Sequence, residues 1–191
     1  MFDLQEFAAR YRLGLQDTAS LVRAADDLLA EGHAEPAVIE LSILESPIMA
    51  EAAPVFERAC TQVGVTIPNK AEAIDVLLRQ HVAAIATGAQ PPHEGLQVIM
   101  REIYFPNIAG EPCKKQVGDS HGIEHLIGAY WGYDDLMERP QEVSFEGKYG
   151  GEAIACWEEF VRRQARDWLE KHTGPNVDRG DMLTAESDLE L

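Results

Sequence analysis

The stretch Asn69–Gly88, NKAEAIDVLLRQHVAAIATG, decides the fold class of this chain. Asn69 is a favourable N-cap residue, and Gly88 is typical of the position just after a helix ends. Between them, apolar residues recur at three- and four-residue spacing and form one wide apolar face: Ala73, Ile74, Val76, Leu77, Leu78, Val82 and Ile85. The pattern predicts an amphipathic helix over 70–87.

The same combination of capping residue, helical spacing and stop recurs along most of the chain. Asp3 and Asp17 are suited to cap two helices near the N-terminus, and Pro36 suits the first turn of a third. A last helix is expected from near Gly151 to Lys171. The sequence contains no strand–helix alternation and no glycine-rich phosphate loop. We therefore predict an all-α fold, a compact helical bundle or a short stack of αα-hairpins, with about seven to eight helices.

Three segments depart from this pattern. Pro54 predicts a kink or a restart of the helix around it. Residues 105–112 have turn chemistry and are the best candidate for a long functional loop. In 141–149, apolar and polar residues alternate, which predicts a short strand or an irregular segment. We expect 1–173 to form a single helical domain and 174–191 to form an acidic, mobile tail.

The chain carries 33 acidic and 16 basic side chains, for a formal net charge of −17. Proteins that bind the phosphate backbone of nucleic acids need basic stripes, so this charge excludes a general nucleic-acid binder. It also disfavours binding to an anionic membrane surface. The acids are spread over the predicted helices as well as the tail, and two interpretations stay open. The charge either keeps the protein soluble or steers it to a basic protein partner.

The sequence predicts a cytoplasmic protein. Its first residues contain no basic segment followed by an apolar run, which a secretory signal would require. No apolar stretch approaches the roughly 20 residues of a membrane span. Cys60, Cys113 and Cys156 form no Cys-x-x-Cys pair, and their odd number and wide spacing argue against a disulfide framework.

One short motif, His121-Gly-Ile-Glu124-His125, has the H-x-x-E-H spacing. On a helix this spacing places His121 and His125 on one face, where both imidazoles could share a Zn²⁺ ion. Glu124 would then take a proton from the bound water, so the motif predicts, as an alternative function, a zinc-dependent hydrolase with Glu124 as catalytic base. A third ligand is required, and the sequence selects none among the downstream acids. The competing interpretation is a helix start with histidines at its surface.

The segment after this motif combines aromatic side chains with paired acids. Tyr130, Trp131 and Tyr133 lie close together and are followed by Asp134 and Asp135. Tyr and Trp combine a large contact area with a polar group, which is typical of interface hot spots. We predict that these five residues bind a protein partner. Packing of the aromatic rings in the core is the alternative interpretation.

The composition is similar to that of bacterial immunity proteins of toxin–immunity pairs, which are small, acidic, helical and cytosolic. The resemblance assigns no role to any particular residue. It implies a non-enzymatic binding protein without a cofactor that docks its acidic surface on a basic, toxin-like protein partner. A helical structural or adaptor domain that oligomerises through its apolar faces is a further alternative, and the sequence does not determine the oligomeric state.

Overall fold

The described part of the chain contains eight α-helices, one π-helical segment and one 3₁₀ turn. The computed structural model describes residues 2–112, 115–116 and 118–172. The α-helices are α1 (Leu4–Arg12), α2 (Thr18–Ala30), α3 (Pro36–Ser42), α4 (Met49–Val63), α5 (Lys70–Thr87), α6 (Pro92–Val98), α7 (Glu124–Glu138) and α8 (Gly150–His172). The π-helical segment Ile99–Ile108 continues α6, and the 3₁₀ turn Asp119–His121 precedes α7. The all-α prediction is confirmed.

Helices α1, α2 and α5 begin at the capping residues that the sequence predicts, Asp3, Asp17 and Asn69. The Asp3 side chain accepts two backbone hydrogen bonds in the first turn of α1, and the Asp17 side chain accepts one from Ser20 at 2.7 Å. Asn69 and Glu72 form a capping box, in which each side chain accepts a hydrogen bond from the other residue's backbone N–H. Capping involves only a few consecutive residues, so the local sequence is sufficient to determine these boundaries.

The buried apolar side chains fall into two clusters. The N-terminal core is formed by α1 to α4 around the fully buried Phe56, whose ring contacts those of Phe7 and Tyr11. The C-terminal core is formed by α5 to α8 and the π-helical segment around the buried Trp157. Helix α1 packs against α5, and its Ala9 belongs to the C-terminal core, so α1 joins the two.

The predicted restart of the helix at Pro54 is wrong. Pro54 lies inside α4, which runs without interruption from Met49 to Val63. Proline lacks an N–H, so α4 loses one hydrogen bond near its start. Burial of the apolar side of α4 in the N-terminal core, with Phe56 at its centre, outweighs that loss.

The predicted loop over 105–112 is wrong in its first half, because the π-helical segment continues to Ile108. Pro106 has no N–H to donate to the carbonyl of Glu102, and the side-chain amide of Asn107 donates to that carbonyl at 3.4 Å. The side chain of Asn107 thus supplies a donor to the carbonyl oxygen that Pro106 would leave unpaired in a regular α-helix.

The segment 141–149 is irregular, with a single antiparallel bridge between Phe145 and Lys148. The two residues between them, Glu146 and Gly147, have φ angles of 51° and 75°. Positive φ at both central positions is what a type I′ turn requires. The predicted tail, 174–191, lies outside the described residues.

Candidate functional site

Helix α7 carries most of the predicted site residues, and its buried side determines which of them reach solvent. Leu126, Ile127, Ala129 and Leu136 are buried in the C-terminal core. The opposite side carries residues at helical spacing, which we call the α7 face: Glu124, Gly128, Trp131 and Asp135. Trp131 is the largest side chain on this face, and 51% of its surface is exposed.

Trp131 packs against Phe105 of the π-helical segment, and we call these two residues the aromatic pair. Their ring centroids lie 6.1 Å apart at an interplanar angle of 76°, which is an edge-to-face contact. Phe105 is 53% exposed, about as much as Trp131. The ring of Tyr130 contacts Trp131, and the ring of Tyr104 contacts Phe105, each with centroids 5.2 Å apart. The two rings of the aromatic pair are thus exposed to solvent, and the rings of Tyr130 and Tyr104 restrict their movement.

Tyr130 and Tyr133 pack against the C-terminal core. The ring of Tyr133 stacks on the imidazole of His93, with centroids 3.9 Å apart, and lies 4.5 Å from the ring of Trp157. Tyr130 lies parallel to the same imidazole at 6.2 Å. Of the three aromatic residues predicted to bind a partner, only Trp131 is exposed, and Tyr130 contacts its ring.

The paired aspartates are both exposed, and they differ in their neighbours. Asp135 forms an ion pair with Arg139 one helical turn later, with 2.6 Å between Oδ1 and Nη2. Among the described residues, no cationic group forms an ion pair with Asp134. Asp134 therefore presents a carboxylate to solvent next to the aromatic pair.

A groove of about 310 Å³ runs beside α7. Gly128 and Gly132 line it on the side of α7, and Phe145, Trp157 and Phe160 line it from the turn before α8 and from α8 itself. The glycines leave the backbone of α7 uncovered, and the aromatic rings make the opposite wall apolar. The groove adjoins the α7 face, because Gly128 belongs to both.

The motif of His121 and His125 does not lie on one helix, so the prediction from its spacing is wrong in that respect. His121 ends the 3₁₀ turn, and Gly122 follows with a left-handed φ of 66° before α7 begins at Glu124. A left-handed residue changes the direction of the chain, so the helical i, i+4 relation does not apply to the two imidazoles.

The two imidazoles also have different surroundings. His121 is 12% exposed, and its Nε2 lies 3.1 Å from Oε2 of Glu111. His125 is 64% exposed, and its Nε2 lies 4.0 Å from Oε1 of Glu124. Oε2 of Glu124 is buried, and no described residue donates a hydrogen bond to it. In the ranges that the structure describes, no group of three or more His, Cys, Asp or Glu side chains is arranged to hold a metal ion.

An ionic cluster joins α1 to the π-helical segment, and sequence reasoning missed it. Glu102 accepts hydrogen bonds from Arg10 at 2.6 Å and from Arg101 at 3.0 Å, and Nε2 of His81 lies 3.8 Å from its Oε2. Burial raises the pKa of Glu102, but the two arginines lower it more, so its pKa lies below the ordinary value. Burial lowers the pKa of His81, and Glu102 only partly opposes this. Arg10 and Glu102 are 92 positions apart, so no local pattern predicts their contact.

Phe105 is a further residue that sequence reasoning did not single out. It stood in the stretch predicted as a functional loop, next to Pro106. Its contact with Trp131 connects two elements that are distant along the chain, and a spacing pattern within one element does not reveal such a contact.

Comparisons with known proteins give no match: the chain matches no family model, no curated protein and no solved structure. Among the helices of the described ranges, none combines the length and the apolar character that crossing a bilayer requires.

Proposed function

We propose that this protein is a non-enzymatic binding protein that docks on a basic protein partner through the aromatic pair and the neighbouring acids of α7. The edge-to-face contact between the half-exposed rings of Trp131 and Phe105 carries the proposal. Rings that are ordered before binding lose little conformational entropy when a partner covers them. Large aromatic side chains of this kind dominate the binding energy of many protein interfaces.

The charge of the chain supports a basic partner. The net charge is −17, and Asp134 and Asp135 stand beside the aromatic pair with their carboxylates exposed. Opposite charge on the partner speeds association, and salt screens this attraction. A cytoplasmic immunity-type inhibitor, which would block a toxin-like basic protein by covering its surface, fits this combination of charge and aromatic residues.

The test begins with a partner retained from a lysate of the native host by the immobilised protein, identified and then purified. Titration calorimetry gives its Kd for the wild-type chain and for the double variant Trp131→Ala, Phe105→Ala. We expect the double variant to bind at least about 30-fold more weakly, because loss of a hot spot typically removes about 2 kcal/mol. We also expect the wild-type affinity to fall between about 0.05 and 0.5 M salt.

Tyr149→Ala is the matched control, because Tyr149 is 51% exposed, as Trp131 is, but lies outside the aromatic pair. It should leave the Kd unchanged. A double variant that binds like the wild type would refute the role of the aromatic pair. An affinity that is indifferent to salt would refute the role of charge.

A second candidate function is oligomerisation through an apolar face. Two exposed apolar side chains in the link between α3 and α4 favour it. Ile43 and Ile48 there are 70% and 63% exposed, more than any other large apolar side chain in the described ranges. Sedimentation of the wild type and of Ile43→Glu over a range of concentrations tests this candidate. Self-association that the variant abolishes would support it, and a monomer at all concentrations would exclude it.

A further inference from the structure

Nothing in the described structure explains why two positions inside α7 are occupied by glycine. Gly128 and Gly132 lie in the interior of the helix, where glycine is unfavourable relative to alanine, and neither has a positive φ. A Cβ atom built on either one meets no atom within 4 Å. Gly95 on α6 is different, because a Cβ there would collide with the side chain of Ile85. Packing within the chain therefore requires glycine at 95 but not at 128 or 132.

The two glycines open the groove beside α7 to close approach from outside. Their i, i+4 spacing exposes a strip of bare backbone along the helix, so that a second helix could approach more closely than side chains would allow. Phe145 and Phe160 form the apolar wall on the other side of the strip, and the groove holds about 310 Å³. This volume and the apolar wall suit aliphatic side chains that project from a helix.

The same groove is lined by an acidic side chain. Glu124, one turn before Gly128, lines the groove, and its buried Oε2 accepts no hydrogen bond from the described residues. The side chain of Glu124 keeps 24% of its surface exposed, so a lysine or arginine of a partner can form an ion pair with it from the groove. A second copy of this chain is a poor occupant, because each copy carries a net charge of −17 and would bring its own acids to the contact.

We propose that the groove receives an amphipathic basic helix of the partner, with aliphatic side chains against Gly128 and Gly132 and a lysine or arginine opposite Glu124. This inference rests on the proposed function, since it names the element by which the basic partner binds next to the aromatic pair. Alanine at both glycines would fill the strip and hold the partner helix away from the backbone of α7.

The probe for the test is a fluorescein-labelled synthetic peptide with leucine and lysine at helical spacing, used where sedimentation shows it to be monomeric. Fluorescence anisotropy gives its Kd for the wild type and for Gly128→Ala, Gly132→Ala. We expect the double variant to bind about tenfold more weakly, while its thermal unfolding midpoint is equal to or above that of the wild type. Unfolding of the variant then cannot account for the weaker binding.

Gly151→Ala is the matched control, because Gly151 lies in the first turn of α8, also has no atom within 4 Å of its Cβ position, and is not among the groove residues. It should bind the peptide as the wild type does. A peptide with glutamate in place of lysine should bind at least about tenfold more weakly than the lysine peptide. Equal binding of the two peptides would overturn the basic character of the occupant.

The glycine and aromatic variants separate the two proposals. In one outcome, Gly128→Ala, Gly132→Ala leaves the Kd of the peptide and of the purified partner unchanged, while Trp131→Ala, Phe105→Ala weakens partner binding. That outcome overturns the proposal that the groove binds a helix, and the proposed function stands. If neither double variant affects partner binding, both are overturned. Self-association of the wild type that the glycine double variant abolishes would identify a second copy as the occupant and overturn the basic helix.

Discussion

The N-terminal and C-terminal halves of the molecule differ in whether the fold explains their glycines and exposed aromatic residues. At the end of α4 in the N-terminal half, Gly64 has a left-handed φ of 86°, a conformation that favours glycine. In the C-terminal half, Gly128 and Gly132 have no such requirement, and the aromatic pair stays half exposed. Around α7, glycines without a conformational requirement occur together with a half-exposed aromatic pair, and this combination points to α7 as the side that binds a partner.

The largest effect is expected at the centre of the N-terminal core. Phe56→Ala should lower the free energy of unfolding by about 3–5 kcal/mol, because it removes a fully buried ring and leaves a cavity. Urea unfolding monitored by circular dichroism measures this loss. Phe105→Ala, at a half-exposed ring, should lower it by less than about 1 kcal/mol. Similar losses at the two positions would contradict the contrast between the buried ring of Phe56 and the half-exposed ring of Phe105.

The next largest effect is expected where the two cores meet. Arg10→Met should lower the free energy of unfolding by about 2 kcal/mol, because it leaves the mostly buried Glu102 without its 2.6 Å hydrogen bond. Arg58→Met is the matched control: Arg58 pairs with Glu40 at 2.7 Å, but both side chains are 51% exposed. Its effect in the same urea titration should stay below about 0.5 kcal/mol. Equal effects would show that the Arg10 contact does not join the cores.

Two glycine substitutions should change stability in opposite directions. Gly64→Ala should lower the free energy of unfolding by about 1 kcal/mol, because alanine is strained at a φ of 86°. Gly128→Ala should raise it by about 0.5–1 kcal/mol, because the helix gains a better former without a clash. Thermal unfolding of both variants compares them directly. A loss of stability at both positions would remove the asymmetry between the two halves.

The smallest effect is expected from the titration of His81. Its pKa in the folded protein lies below the ordinary value of 6.5, so the unfolded chain takes up a proton there before the folded protein does. Stability should therefore decrease as the pH falls through about 6.5. Urea unfolding at pH values on either side measures the slope, and His81→Gln should make it shallower. An unchanged slope would show that His81 is not the group that titrates.

Capping and periodicity make most of the helices of this chain predictable. Asp3, Asp17 and Asn69 accept the hydrogen bonds that the sequence predicts, because a cap and its partners lie within one turn. The error at the start of α7 has a local cause as well: Gly122 adopts a left-handed conformation, and glycine is equally compatible with a helix or a stop.

The candidate site was only partly predictable. Trp131 and the aspartates were identified from residue type, but the inward packing of Tyr130 and Tyr133 depends on His93 and Trp157, which belong to other helices. A run of aromatic residues on one helix shows which side chains are present, and only the neighbouring helices decide which of them are covered.

The sequence by itself determined the all-α class, the caps and most helix boundaries, because these depend on hydrogen bonds and side-chain spacing within a few residues. Only the tertiary structure decided which aromatic rings stay exposed, that Phe105 stands beside Trp131, and that Gly128 and Gly132 face an open groove. Those features depend on which helices pack together, and packing is determined by contacts between residues far apart along the chain.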